Sequence, residues 1–305
     1  MAISTTYAPS GITNSIREDL EDVITNIAPT DTVFMSNIGK KKVQSTYHEW
    51  LTDTLATAAN CAVTEGNDAV LATPTAAERT GNYTQISAKW FAISDTLETV
   101  NKAGRKSEIA YQTSLRLKEL ARDMEYALIN NSTATATDPR SLKGLKGWIT
   151  TNCINFTTGT SVTTLTETKF NDELERCWTE GGNPDMVICG PKMKRKISAF
   201  TGNSKITTNM DAESQKIILS VDYYESDFGV VKVYASRFIA TDDDTMYDSI
   251  FFLEKSKFAL GTLLPLKVEK LAKTGLGQKV QISTEYTLIS YQEKASARMK
   301  NVLNT

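Results

Sequence analysis

Val43-Gln44-Ser45-Thr46-Tyr47-His48-Glu49-Trp50-Leu51-Thr52 and its return limb Asn82-Tyr83-Thr84-Gln85-Ile86-Ser87-Ala88-Lys89-Trp90-Phe91-Ala92-Ile93 open the stretch from Val43 to Asn131 that decides how this chain folds. Both limbs carry the β-branched, aromatic and alternating signals of strands. Each reaches roughly 30 Å at about 3.3 Å per residue. Between them, Asp53 to Gly81 is built largely of Ala, Thr, Asn and Glu and cannot bury enough apolar area to hold a subdomain of its own. A two-stranded projection is marginal alone in water, so this arm is expected to pack on neighbouring copies. The alternative, equally open on this argument, is a mobile surface hairpin.

Gly104 to Asn131 then reads as one helix of about 26 residues, near 40 Å long at 1.5 Å per residue. Ile109, Ala110, Leu117, Leu120, Ala121, Met124 and Leu128 form an apolar stripe, with Lys118, Glu119, Arg122 and Glu125 expected on the wetter sides. An ordinary long core-facing helix satisfies the same pattern. Upstream, Ser15-Ile16-Arg17-Glu18 supplies a capping box for a short amphipathic helix that Ala28-Pro29 ends, and Thr32-Val33-Phe34-Met35 follows.

Downstream, Asn130 to Arg140 and Asn152 to Thr164 read as loops, the second with short strand-like pieces. Thr168 to Glu180 reads as a helix burying Phe170, Leu174, Cys177 and Trp178, ended by Gly181-Gly182-Asn183-Pro184. A buried strand at Met186–Cys189, a helix from Pro191 to Phe200 with proline at its start, and strands at Val230–Tyr234 and Ile250–Leu253 suggest a small α/β subdomain. Val280, Ile282, Thr284, Tyr286 and Leu288 alternate against polar residues as the clearest strand.

At 305 residues the chain can bury about three quarters of its unfolded surface and needs neither disulfide nor metal to fold. Thirty-four basic residues against 36 acidic ones leave a net charge of -2, no field for clamping nucleic acid. Cys61, Cys153, Cys177 and Cys189 form no zinc-like grouping with the single histidine, His48, and are expected to be reduced and mostly buried. No signal peptide or membrane-length apolar run is present, so a soluble product made in a reducing cytoplasm is expected.

With one histidine, a nucleophile-histidine arrangement would have to use His48, which sits mid-strand in the arm; a strand-surface residue is the expected reading. Asp242-Asp243-Asp244 lacks the glycine and glutamate of a calcium loop, and Leu253 stands where the glutamate belongs. Gly275-Leu276-Gly277-Gln278-Lys279 meets neither phosphate-loop spacing and reads as a hairpin approach to the last strand. Lys40-Lys41-Lys42 at the base of the arm is expected to meet a neighbour's carboxylates or to stand as a solvated edge, in preference to DNA.

The order of these elements, with Ser15-Ile16-Arg17-Glu18-Asp19-Leu20, Ala28-Pro29-Thr30-Asp31-Thr32, Glu49-Trp50, Asn82-Tyr83-Thr84-Gln85-Ile86, Ala103-Gly104-Arg105-Lys106-Ser107-Glu108, Arg122-Asp123-Met124-Glu125, Asp227-Phe228-Gly229 and Glu285-Tyr286-Thr287-Leu288, resembles a family of tailed-bacteriophage major capsid proteins. The resemblance runs over nearly the whole chain. It implies the α+β Hong Kong 97-like fold. The implied parts are an N-terminal arm (1–42), an extended E-loop (43–95), a peripheral domain with a long spine helix (96–149), an axial domain (150–262) and peripheral return strands (263–305).

The function it implies is structural, with no catalysis, cofactor or metal. Copies would assemble as pentamers and hexamers into the icosahedral head around packaged double-stranded DNA, held without sequence preference on the inner face. Portal, scaffolding and decoration proteins are the other expected partners, with no membrane; the place of assembly is the host cytoplasm and the destination the virion. Subunit contacts are expected at Lys40, Lys41 and Lys42, at Glu49 and Trp50, and at Arg79 and Arg105. No motif licenses the lysine–asparagine crosslink of some members. The rival reading is an encapsulin-like nanocompartment shell, which shares the fold and holds enzymes.

Overall fold

The computed structural model describes residues 31–68, 76–100, 106–158, 161–162, 164–200, 223–239 and 247–303. The capping box at Ser15, Arg105 and the Asp242 triplet lie outside them. Along the chain, α1 (Val33–Asn37) leads into β1 (Gly39–Lys42), β2 (Tyr47–Thr52), β3 (Glu78–Tyr83) and β4 (Gln85–Ser94). Next come α2 (Asp95–Thr99), α3 (Glu108–Asn130) and α4 (Leu145–Trp148), then the short strands β5 (Cys153–Asn155), β6 (Thr157–Thr158) and β7 (Ser161–Val162). They are followed by α5 (Glu167–Thr179), β8 (Met186–Cys189), α6 (Pro191–Ser198), β9 (Tyr223–Ser226), β10 (Gly229–Ala235) and β11 (Tyr247–Leu253). β12 (Phe258–Lys270), β13 (Gly277–Ser290) and β14 (Ala297–Leu303) complete the described elements.

Two sheets organise the molecule. One runs β1-β12-β13-β4; the other runs β5-β14-β11-β8-β10-β9. β8 is buried at every position because both faces of the second sheet are covered. On one face Ile188, Phe251 and Leu253 join Phe34, Trp50, Leu128, Phe258 and Leu288 in a core shared with the first sheet. On the other, Val187, Phe252 and Met299 pack against Phe170 and Leu174 of α5 and Met193 of α6. Gly229, at φ 133, makes the turn from β9 into β10, a backbone region closed to most L-residues.

α3 is capped by Ser107, whose hydroxyl accepts from Ala110 N, and by the Glu98 carboxylate, which accepts from Glu108 N at 2.9 Å. It lies across the face of the first sheet that carries Val280, Ile282 and Tyr286; from that face Lys89 reaches Asp123 at 2.6 Å.

Several expectations are corrected. The limb Asn82–Ile93 is not one strand of the arm: β3 pairs with β2, while β4 pairs with β13 in the first sheet, and Thr84 is the break between them. Glu125, expected on a wet side of α3, is fully buried because its two carboxylate oxygens accept from Phe34 N at 2.6 Å and Met35 N at 2.8 Å, closing the N-terminus of α1. Trp178 is 57% exposed, its ring tilted at 41° to that of Phe228 and outside the core. Cys61 is exposed on the arm loop, whereas Cys177 and Cys189 are buried, their thiols pushed up to about 12 by burial. β13 is not the last strand: β14 follows it, and pairs with β11 and β5 in the second sheet.

Candidate assembly surface

The arm is a ribbon of β2 and β3, in register from Tyr47↔Tyr83 to Thr52↔Glu78. The tilted ring contact of Tyr47 with Tyr83 at 4.5 Å is possible because Gly81 has no Cβ; one there would stand 2.7 Å from the Tyr47 ring. At the base, Asn82 satisfies its whole amide: its nitrogen donates to the carbonyls of Lys143 and Leu288 and its oxygen accepts from Lys143 N. Next to it Thr84 N donates to Thr46 O, while the Thr84 hydroxyl donates to Glu285, which also holds Arg140 at 2.9 Å. Thr287 donates to Tyr83 O. Buried, fully partnered polar groups of this kind fix geometry, so the ribbon leaves the body at a set angle.

Trp50 anchors the ribbon from below. It is 9% exposed and packs against Trp148 at 5.5 Å and Tyr291 at 6.4 Å. Most of the ring expected to face a neighbour therefore packs within its own chain. His48 lies beside it, half-buried, its pKa lowered by burial and then by the charge of Lys41. Lys40, Lys41 and Lys42 are exposed on the edge strand β1, which pairs in parallel with β12, and Lys41 sits over the Tyr291 ring. Glu49 and Arg79 are exposed neighbours across the ribbon, 3.9 Å apart.

Beyond Thr52 every residue of 53–68 is exposed, with Leu55 at 99% and Val63 at 72%. β4 repeats the theme. Ser87, Lys89, Phe91 and Ile93 lie on the α3 side, with Ile93 buried, while Ile86, Ala88, Trp90 and Ala92 lie on the opposite face, where Ile86 and Trp90 are exposed, Trp90 at 72%. Leu264 of β12, two strands away, is exposed on the same side as Ile86, whereas the exposed Val268 pairs with Ile282 on the α3 side. Scattered exposed apolar side chains are ordinary; a contiguous set on one sheet face marks an interaction surface. That face was legible as alternation, but alternation alone does not say which side meets solvent.

No group of three or more His, Cys, Asp or Glu that could hold a metal occurs among the described residues, and no described helix is long and apolar enough to cross a membrane.

Residues 4–303 match the family described as SU10 major capsid protein. The chain is 25% identical over 316 residues to the major capsid protein of Escherichia phage Phieco32, covering 87% of this chain and 88% of that one. Among solved structures, the capsid of cyanophage A-1(L) superposes with a TM-score of 0.72 at 10% identity, over 97% of this chain and 99% of that chain. The SrpI encapsulin of Synechococcus elongatus PCC 7942 does so with a TM-score of 0.57 at 12% identity, over 92% and 93%. At these identities the two structural likenesses speak for the fold alone.

Proposed function

The chain belongs to the SU10 major capsid protein family, is a phage capsid subunit of Hong Kong 97-like fold and not an enzyme, and from that premise we propose how its copies hold together. They form pentamers and hexamers that close into an icosahedral head around double-stranded DNA, in company with a portal and with scaffolding or decoration proteins, in the host cytoplasm. Residues 1–42 serve as the N-terminal arm, 43–95 as the E-loop, 96–149 as the peripheral domain and 150–262 as the axial domain. Within 263–305 the return strands are β12 and β13, whereas β14 is counted with the axial sheet, to which it is bonded.

The observation that carries this reading is the arm: a ribbon rooted at Asn82 and Thr84 whose described loop residues, 53–68, are all exposed, Leu55 and Val63 included. Lys40, Lys41, Lys42, Glu49 and Arg79 are exposed and are the proposed contacts near its root, together with Arg105 and with Trp50, whose ring is 9% exposed in its own chain. Interfaces shared among several neighbours reach the obligate range, above roughly 2,000 Å² per subunit. The encapsulin-like alternative rests on fold likeness alone.

Electron microscopy of the purified, expressed protein is the test. Closed shells or capsomer rings are the expected result. A monodisperse monomer at high concentration overturns the proposal.

A further inference from the structure

The single histidine of the chain stands at the root of the arm, on the ribbon face that meets the body. His48 lies opposite Asn82 and shares its face of β2 with Trp50, two residues on, their ring centroids 6.0 Å apart. Its Nε2 is buried without a hydrogen-bond partner, and so is the Trp50 Nε1. Trp148 and Tyr291 close the cluster around Trp50.

Two lysines reach this cluster. Lys41 of β1 sits over the Tyr291 ring at 5.6 Å and Lys143 over the Trp148 ring at 4.5 Å. The acids on the elements packed there are turned away or already engaged. Glu49 lies on the other face of the ribbon beside Arg79, Glu285 holds Arg140 and Thr84, and Glu293 accepts from Thr150 N. Glu78 shares the His48 face but pairs with Thr52, about 13 Å farther out at about 3.3 Å per residue. Full protonation of His48 puts an N–H on a buried nitrogen with no acceptor beside it, and adds like charge to Lys41. Burial first and Lys41 second accordingly push its pKa below the ordinary 6.5. Attraction of the cation to Trp50 acts the other way, but the rings are tilted at 41° and stand at the outer limit of that contact.

We propose that His48 is a proton-operated latch of the arm: when neutral it lets the ribbon root seat on Trp50, Trp148 and Tyr291, and when protonated it loosens that seat. The latch belongs to the single chain. Only its consequence, assembly that weakens in mild acid, rests on the reading of the chain as a shell subunit. With the folded pKa depressed, the seat is at full strength above 6.5 and weakens as pH falls from there through the folded value.

One histidine gives one imidazole titration, so nuclear magnetic resonance of the dilute full chain reads the latch directly. His48 is expected to titrate below 6.5. Hydrogen exchange of the β2 and β3 amides, corrected for intrinsic rate, is expected to lose at least about threefold in protection from about pH 7.5 to about pH 5, and His48→Gln to abolish that dependence. Lys41, fully on the surface, tests the latch without touching the ring: Lys41→Glu supplies the missing acid and is expected to raise the titration point and remove the acid loss. Titration at or above 6.5, or an equal loss of protection in parent and His48→Gln, overturns the latch. Shell formation by the parent is expected to need at least about threefold more protein at about pH 5.5 than at about pH 7.5, with no such difference in His48→Gln. Equal dependence in the two overturns the link from latch to assembly, whereas a parent that forms no shells at either pH overturns the shell reading and not the latch, which is read in dilute subunits.

Discussion

Glu173 sits on the inward side of α5 with Phe170, Leu174 and Cys177, its side chain fully buried and neither carboxylate oxygen hydrogen-bonded. Burial pushes its pKa up to about 7, against a partial pull downward from Arg176 at 3.8 Å. A carboxyl whose folded pKa lies above its ordinary 4.5 is protonated in both states at low pH and costs nothing there. As pH rises from about 4.5 to 7 the unfolded chain ionises first, stability falls, and above 7 the penalty is constant at no more than about 3 kcal/mol. Glu173→Met is therefore expected to raise stability by about 2 kcal/mol at pH 8, to change little at pH 4, and to flatten the profile between, as read by urea unfolding of dilute protein. An unchanged slope between pH 5 and 7 would show that Glu173 is not the titrating group. Buried carboxylates such as Glu173 and Glu125 were illegible in the sequence: a helical wheel sorts residues by type, and a Glu with a buried task looks like one with none. The burial of Trp50 was equally illegible, since its short Glu-Trp string does not say which side of a two-stranded ribbon meets the core.

At the scale of elements, α1 is too short to hold itself and is fastened to α3 by one side chain. Five residues cannot sustain a helix in water, so the Glu125 carboxylate, accepting from Phe34 N and Met35 N, holds its first turn while Phe34 packs edgewise on Phe258 at 6.1 Å. Burial raises the Glu125 pKa and the two N–H bonds pull it back. Glu125→Ala removes both charged bonds and leaves two buried donors, an expected loss of about 2–3 kcal/mol in urea unfolding. Hydrogen exchange at Phe34 and Met35 should accelerate with it; equal protection in the variant would mean that packing at Phe34 alone holds α1. The elements with strong local signals were readable: α3 from its stripe, β8 from its continuous apolar run, α6 from Pro191, β13 from its alternation. The split of the return limb at Thr84 was not, because what ends β3 and starts β4 is a set of bonds to Thr46, Lys143 and Glu285, from 38 to 201 residues away along the chain. β12 was passed over because Pro265 and two register shifts break its pattern.

For the whole molecule the question is whether the arm belongs to the fold of one subunit or to the bond between subunits. Its root is part of the core, through Trp50, Asn82 and Thr84; the described residues of its loop, 53–68, are all exposed and give the core of the chain that carries it no buried residue. Excising residues 53–77 and joining Thr52 to Glu78 through Asn-Gly keeps the β2–β3 register and supplies the turn that a two-residue hairpin prefers. Shortening a loop also lowers its closure cost slightly. The dilute excised subunit is thus expected to unfold within about 1 kcal/mol of the parent. Sedimentation at assembly concentrations should nevertheless find single subunits or small oligomers where the parent forms shells. A subunit that unfolds on excision would place the loop inside its own fold, and one that still closes shells would move the link between copies elsewhere, first to the outward face of β4 around Trp90. Retained stability with lost assembly is the one combination that follows from a limb anchored in one molecule and buried in the next.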